Sequence, residues 1–182
     1  MIAKWDRRFL DLARLCASWS KDPSTKCGAC IVDPQRRIAS LAFNGFARGV
    51  LDTPERYADR ETKYRLIVHA ERNAVLFAAR DLTGCTLYTV PFQPCSPCAA
   101  IVIQAGIKRV VAPPIPADKA GRWADDMALA APQFREAGVT LDVIPDSDPP
   151  PAGTLRRLRE LASQVPPGPL ESELGPSGHY AL

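Results

Sequence analysis

The sequence predicts an α/β protein, a five-stranded mixed sheet held between two layers of helices. Three observations carry that expectation. Apolar residues recur every three or four positions over the first twenty residues. Two short apolar runs follow, joined by a turn-forming connector. From there to residue 144, helix-like and strand-like segments alternate, giving the order α-β-β-α-β-α-β-α-β. A hairpin followed by alternating units folds most simply as one mixed sheet with helices on both faces.

Each element follows from its own residues. Ile2, Trp5, Phe9, Leu12, Cys16 and Trp19 make the stripe of an amphipathic helix over residues 2–20. Asp22-Pro23 in "KDPSTK" breaks it. "CGACIVD" and "RIASLAF" read as two strands joined at "PQRR". "NGFARG" (44–49) reads as a loop, because Asn-Gly accepts positive φ and two glycines let a ligand approach the backbone. Residues 50–66 read as a polar, irregular surface insertion. "HAERNAVLFAAR" is a helix and "CTLYTV" a strand ended by Pro91. "CSPCAAIVIQAG" is a helix stopped by Gly106, and "KRVVAP" the next strand. Residues 123–137 and "VTLDVI" supply the last helix and strand. The composition then changes. "PDSDPPPAG" reads as a linker, 154–164 as one short helix, and the Pro- and Gly-rich remainder as disordered or laid over a neighbour. The expected organisation is a domain over 1–145 and a C-terminal extension over 146–182.

Bulk properties narrow the function. A chain of 182 residues, 46% hydrophobic and 24% charged, suits one globular domain with an ordinary core. A net charge of +3 is too weak to argue for nucleic acid, and suits a small anionic ligand equally well. No apolar run is long enough to span a bilayer, and "MIAKWDRRFLDLARL" lacks a signal-peptide core, so a cytoplasmic protein is expected. In a reducing compartment the six cysteines read as core residues, metal ligands or nucleophiles. The two histidines are His69 and His179, and only His69 lies in the globular part.

Two segments concentrate chemistry: "HAE" at 69–71 and "PCSPC" at 94–98, each opening a helix. A helix N-terminus favours thiolate through its dipole and free N–H groups. Two such termini facing each other would gather His69, Cys95 and Cys98 around one Zn2+. Three protein ligands leave a fourth position open, the arrangement of a catalytic zinc, whose bound water ionises near neutral pH. Glu71 is close enough to serve that water as a proton shuttle without binding metal. Taken singly, each residue has a plainer reading: a satisfied histidine, a core cysteine pair, a carboxylate at a helix start. Together and in order, H-x-E…P-C-x-x-C is the signature of zinc-dependent base deaminases. A second C-x-x-C, Cys27 and Cys30, has the same spacing but sits in a strand. Residues three apart in a strand face opposite sides, so this pair reads as small apolar residues rather than ligands.

From Trp5 to about Val111 the chain resembles the deoxycytidylate (dCMP) deaminases of the cytidine deaminase-like superfamily. The resemblance rests on "WDRRFLDLARLCASWSKDPSTKCGACIVDP", "FNGFARGV", "KYRLIVHAERNAV" and "IQAGIKRVV". It implies zinc on His69, Cys95 and Cys98, with Glu71 as shuttle. It implies Asn44 at the sugar or base and Ala70 offering backbone to the base edge. It further implies a triphosphate effector site around Gly45, Arg48 and Gly49, with dCTP activating and dTTP inhibiting, Mg2+ accompanying the triphosphate, and a homo-oligomer, hexamer or dimer. Departures are Ala47 where the family has proline, Cys27 and Cys30 where it has valine, and a longer approach to the cysteines, "TVPFQPC".

The implied reaction is hydrolytic. Hydroxide adds at cytosine C4 while Glu71 protonates N3 and then passes a proton to the leaving amine, giving dUMP and ammonia. Ser24, Thr25 and Lys26 are the candidates for the 5′-phosphate, and a solvated turn is their plainer reading. Three competing readings stand beside it. The first is a deaminase of dCTP, a modified dCMP or a purine, although a tRNA-directed enzyme would want a stronger basic face. The second is a non-catalytic, zinc-stabilised nucleotide-binding module, which would not need Glu71. The third is a nucleic-acid-binding zinc ribbon using all four paired cysteines, which would leave His69 and Glu71 without a role.

Overall fold

The computed structural model describes residues 4–145. The linker, the 154–164 helix and the Pro-rich tail expected from sequence lie outside the described residues. Helix α1 (Lys4–Ser18) leads to strands β1 (Gly28–Val32) and β2 (Ile38–Phe43), then to a short strand β3 (Gly45–Phe46). Helices α2 (Pro54–Ala58) and α3 (Arg60–Leu66) follow, then β4 (Ile67–Val68) and α4 (Ala70–Ala78). Strand β5 (Thr86–Val90), helix α5 (Ser96–Gln104), strand β6 (Arg109–Ala112), helix α6 (Ala117–Glu136) and strand β7 (Thr140–Val143) complete the domain.

The main sheet has five strands in the order β2-β1-β5-β6-β7. β1 is antiparallel to both β2 and β5, whereas β5, β6 and β7 run parallel. The expected mixed sheet is therefore present. β3 and β4 pair separately as a two-stranded ribbon, Gly45 opposite Val68.

The strand period places a core on each side of β1. Ala29 and Ile31 join the cluster packed under α4, α5 and α6, which includes Ala74, Val102, Phe134 and Leu87. Cys30 and Val32 face the other way, against Phe9, Leu10 and Ala13 of α1 and Tyr88 of β5. Gly28 is where α1 comes nearest the sheet. A methyl group built there would lie 1.9 Å from the Ala13 carbonyl oxygen and 2.6 Å from the Ala17 nitrogen. Because both obstacles are backbone, Gly28→Ala is expected to destabilise the fold by about 3 kcal/mol or more, read as a lower midpoint in urea unfolding.

Three local expectations need correction. The buried stripe of α1 is Phe9, Leu10, Ala13, Cys16 and Ala17, while Trp5 and Trp19 are exposed. Asp6 takes a buried place because Tyr88 Oη donates to it at 2.7 Å and Arg109 binds both its carboxylate oxygens at 2.8 and 2.9 Å. Residues 50–66 are not irregular. Thr53 caps α2 ahead of Pro54, and Asp59 caps α3 by accepting from the backbone N–H groups of Glu61 and Thr62. In "NGFARG" the positive φ falls on Gly49, at 82°, while Gly45 is strand. Gly106 ends α5 with φ 83°, as expected.

Candidate active site

Two helix starts build the site. His69 is the N-cap residue of α4 and Cys95 that of α5; both have extended backbone, and neither side chain caps its own helix. Their carbonyls accept the first helical bonds, from Asn73 at 3.0 Å and Ala99 at 2.8 Å. The rings and sulfurs are thereby left free to turn toward each other. His69 Nδ1 lies 3.4 Å from Cys95 Sγ and 3.3 Å from Cys98 Sγ. Around a tetrahedral zinc, with bonds of about 2.3 Å to sulfur and about 2.0–2.1 Å to nitrogen, the two atom types stand roughly 3.6 Å apart. The donor set and its spacing therefore fit Zn2+. Among the described residues, this is the one group of three or more His, Cys, Asp or Glu side chains placed to hold a metal ion.

Electrostatics favour the ligand forms unequally. The Cys98 thiol donates to Cys95, and with the His69 ring beside it this brings Cys95 down to about 5. Cys98 is pushed up by the same bond. Burial opposes the charged form of His69, but its hydrogen bond to Cys95 and the nearby Glu71 and Cys95 charges together outweigh burial and hold the ring above its ordinary value. Glu71, on the first turn of α4, is buried, and burial raises its carboxyl above the usual range. The Thr89 hydroxyl, itself buried in β5, donates to Glu71 Oε1 at 3.5 Å.

A cleft of about 500 Å³, counting space open to solvent, reaches His69, Glu71 and Cys95 from outside. Its wall includes Ser24, Thr25, Cys27 and Asn44 on one side, and Phe92, Arg122 and Trp123 on the other. Trp123 packs edge-on to His69, with ring centroids 6.2 Å apart and planes at 77°, and contacts Phe92 at 5.8 Å. Asp22 organises the first side. Its Oδ1 accepts from Ser24 N at 2.8 Å, Ser24 Oγ at 2.9 Å and Thr25 N at 3.2 Å. The buried Lys63 of α3 donates to the same oxygen at 3.2 Å and also to Ser24 Oγ.

The predicted site residues are brought together unevenly. His69, Glu71, Cys95 and Cys98 converge. Ser24 and Thr25 line the cleft, but Lys26 is exposed and outside its lining. Asn44 lines the cleft, yet its side chain is already bonded to the loop before β1: Oδ1 accepts from Cys27 N at 2.7 Å, and Nδ2 donates to the Thr25 carbonyl at 3.0 Å and Asp22 Oδ2 at 3.4 Å. Ala70 is fully buried at the first position of α4. Gly45, Arg48 and Gly49 lie outside the cleft lining, with Arg48 and Gly49 exposed. Sequence reasoning missed Lys63, Trp123 and Arg122. "TKY" lay in a segment read as irregular, and Trp123 stood at the start of the helix expected over 123–137 with no role assigned to it, whereas α6 begins at Ala117.

Cys27 precedes β1 and Cys30 lies within it, and the two face opposite sides of the sheet. Cys27 packs on the α4 side and lines the cleft, while Cys30 lies in the cluster under α1. Burial pushes both thiols up, Cys30 to about 12, which disfavours the thiolate a metal needs. The Cys27→Val, Cys30→Val double variant is expected to retain one zinc per chain by metal analysis; loss of zinc would put that pair back in the metal site.

Comparison with known proteins bears on the same residues. The family model described as the cytidine and deoxycytidylate deaminase zinc-binding region matches residues 3–113, a span that includes His69, Glu71, Cys95 and Cys98. The chain belongs to this family. A deaminase of Aliivibrio fischeri, described only as lying in the luxG 3′ region, is 44% identical over 145 residues, covering 80% of this chain and 97% of that one. Human deoxycytidylate deaminase is 38% identical over 145 residues, covering 75% of this chain and 78% of its own. The fold is like that of the dCMP deaminase of cyanophage S-TIM5 in complex with dCMP and dUMP, with a TM-score of 0.60 at 21% identity, covering 79% and 99% of the two chains. The family is a zinc-binding one, and the candidate donors for that metal stand at the starts of α4 and α5; no described helix is long and apolar enough to cross a membrane.

Proposed function

We propose that the protein is a hydrolytic deaminase that converts dCMP to dUMP and ammonia. The observation that carries this reading is Glu71, buried in the cleft beside three side chains placed to hold a metal ion. The names of its relatives favour dCMP among cytosine nucleotides. Zinc, when bound, supplies a water acidified to near neutrality. The chain supplies everything else. Glu71, whose carboxyl burial raises, is placed to move two protons in turn: the first, released as water adds to the ring, to cytosine N3, and the second, from the hydroxyl newly attached at C4, to the leaving amine. Thr89 fixes the carboxylate, and Phe92 and Trp123 give the base an apolar wall.

The phosphate end of the reading changes with the structure. Ser24 and Thr25 stay as hydroxyl donors, and Lys63 with Arg122 replaces Lys26 as the cationic part. Arg122 is exposed on the cleft wall with no ion pair among the described residues, so replacing it leaves the fold intact. Arg122→Gln is expected to lower kcat/KM for dCMP by roughly tenfold and leave deoxycytidine turnover unchanged. Equal losses on both substrates would remove Arg122 from phosphate recognition.

The reading extends to regulation, with a dCTP or dTTP effector and its Mg2+ around Gly45, Arg48 and Gly49 of a homo-oligomer. Ammonia release across dCMP, deoxycytidine, dCTP, 5-methyl-dCMP and purine nucleotides, with and without added triphosphate, tests both parts. Fastest release from dCMP is the expected result. Fastest release from dCTP or a purine would reassign the substrate.

A further inference from the structure

Helix α6 reaches the metal site through one carboxylate. Asp126 Oδ2 accepts from Ser96 N at 3.2 Å, and its Oδ1 accepts from Ser96 Oγ at 2.7 Å, across thirty positions of sequence. Ser96 is the first residue of α5, directly after Cys95. A helix start normally takes an oxygen from its own N-cap side chain. Here the N-cap is Cys95, whose sulfur faces His69, and Pro97 removes the next donor. The cap oxygen therefore comes from another helix.

The consequence lies one turn back on α6. Trp123 precedes Asp126 by three residues, so both project from the same side of the helix. Trp123 stands over His69 and lines the cleft, and Arg122 beside it lines the cleft as well. At the helix's N-terminal end, Lys119 Nζ donates to the Ser24 carbonyl at 3.3 Å, across the cleft mouth. Helix α6 thus spans from the Ser24 lip to the cysteine turn, and Asp126 is its bond to that turn.

We propose that Asp126 is a positioning residue. By holding both donors of Ser96, it locks the Trp123 wall to the first turn of the metal-binding helix, so that nucleotide and metal are presented to each other in one geometry. Asp126 touches neither substrate nor metal in this role; it acts through Trp123 and α5.

The kinetic part of the test rests on the dCMP deaminase reading, and the spectroscopic part does not. With Trp5 and Trp19, both exposed, replaced by phenylalanine, Trp123 becomes the one tryptophan of the chain. In that background Asp126→Ala is expected to shift Trp123 emission to the red and raise its acrylamide quenching toward that of an exposed indole. In the otherwise unchanged full chain, Asp126→Ala is expected to raise KM for dCMP roughly tenfold, with kcat changed less than KM and zinc retained. Asp126→Asn, which keeps an oxygen for the Ser96 N–H, restores most of the loss. Adding Ser96→Ala to Asp126→Ala costs nothing further, because the two share one interaction. Unchanged quenching and KM overturn the proposal, as does a fall in kcat alone, the mark of a merely less stable fold. If Asp126→Ala does not fold, Ser96→Ala decides by a smaller shift in the same direction or by none. If the parent chain releases no ammonia from dCMP, the deaminase reading fails and the fluorescence result alone decides Asp126.

Discussion

Glu71→Gln is expected to lower kcat by about 10²–10⁴, the usual worth of a positioned acid–base group, while zinc content stays unchanged. The substitution keeps shape and burial and removes only the titrating proton. The Thr89 hydroxyl can bond to the amide oxygen as it does to Glu71 Oε1, so the side chain has a partner in its buried place. The candidate metal donors are His69, Cys95 and Cys98, and the substitution leaves all three in place. Metal analysis and turnover on the same preparation give the answer. A variant with full activity removes Glu71 from the proton path, and a variant without zinc makes it a ligand or a structural support instead.

Cys98→Ala is expected to abolish both zinc retention and activity, with turnover down by more than about 100-fold, since changes merely behind a ligand already cost 10–100-fold. Cys98 is fully buried on the first turn of α5, and its sulfur is 3.3 Å from His69 Nδ1. Losing it leaves two donors, too few to hold the ion in a tetrahedral site. Because metal binding is coupled to folding, the unfolding temperature should also fall, and a chelator that lowers it in the parent should no longer do so in the variant. The contrast with the Cys27→Val, Cys30→Val variant makes the result specific. The same C-x-x-C spacing is expected to carry metal at a helix start and not to carry it where the chain runs into β1.

The sheet, the order of its strands along the chain and the convergence of His69, Cys95 and Cys98 were legible because each depends on local pattern. Alternation marks β1, whose two faces enter two different cores. A ligand followed by helix-period residues marks His69 and Cys95. What was not legible depends on distant partners. Lys63 sits in a polar segment and reads as solvated, but Asp22, 41 positions away, makes its burial possible. Asp6 reads as the outer face of α1 until Tyr88 and Arg109 are seen to satisfy it. Trp5 suits a buried stripe by spacing, yet it lies outside with Arg8 and Arg36 against its ring at 4.7 and 5.2 Å. The helices in 50–66 are a different case: Thr53-Pro54 and Asp59 were cap signals in plain view, outweighed by the polarity around them. Asn44 shows the limit of carrying a role over by resemblance. It lines the cleft, while its hydrogen bonds serve the loop before β1.

The central claim is that the cleft at His69, Glu71, Cys95 and Cys98 removes the amine of dCMP. The most direct measurement is a stoichiometric one: zinc-loaded protein of all 182 residues incubated with dCMP, with dUMP and ammonia quantified together and Glu71→Gln run alongside. The expected result is equal amounts of dUMP and ammonia from the parent and almost none from the variant. Zinc bound at one per chain with dCMP left intact would contradict it.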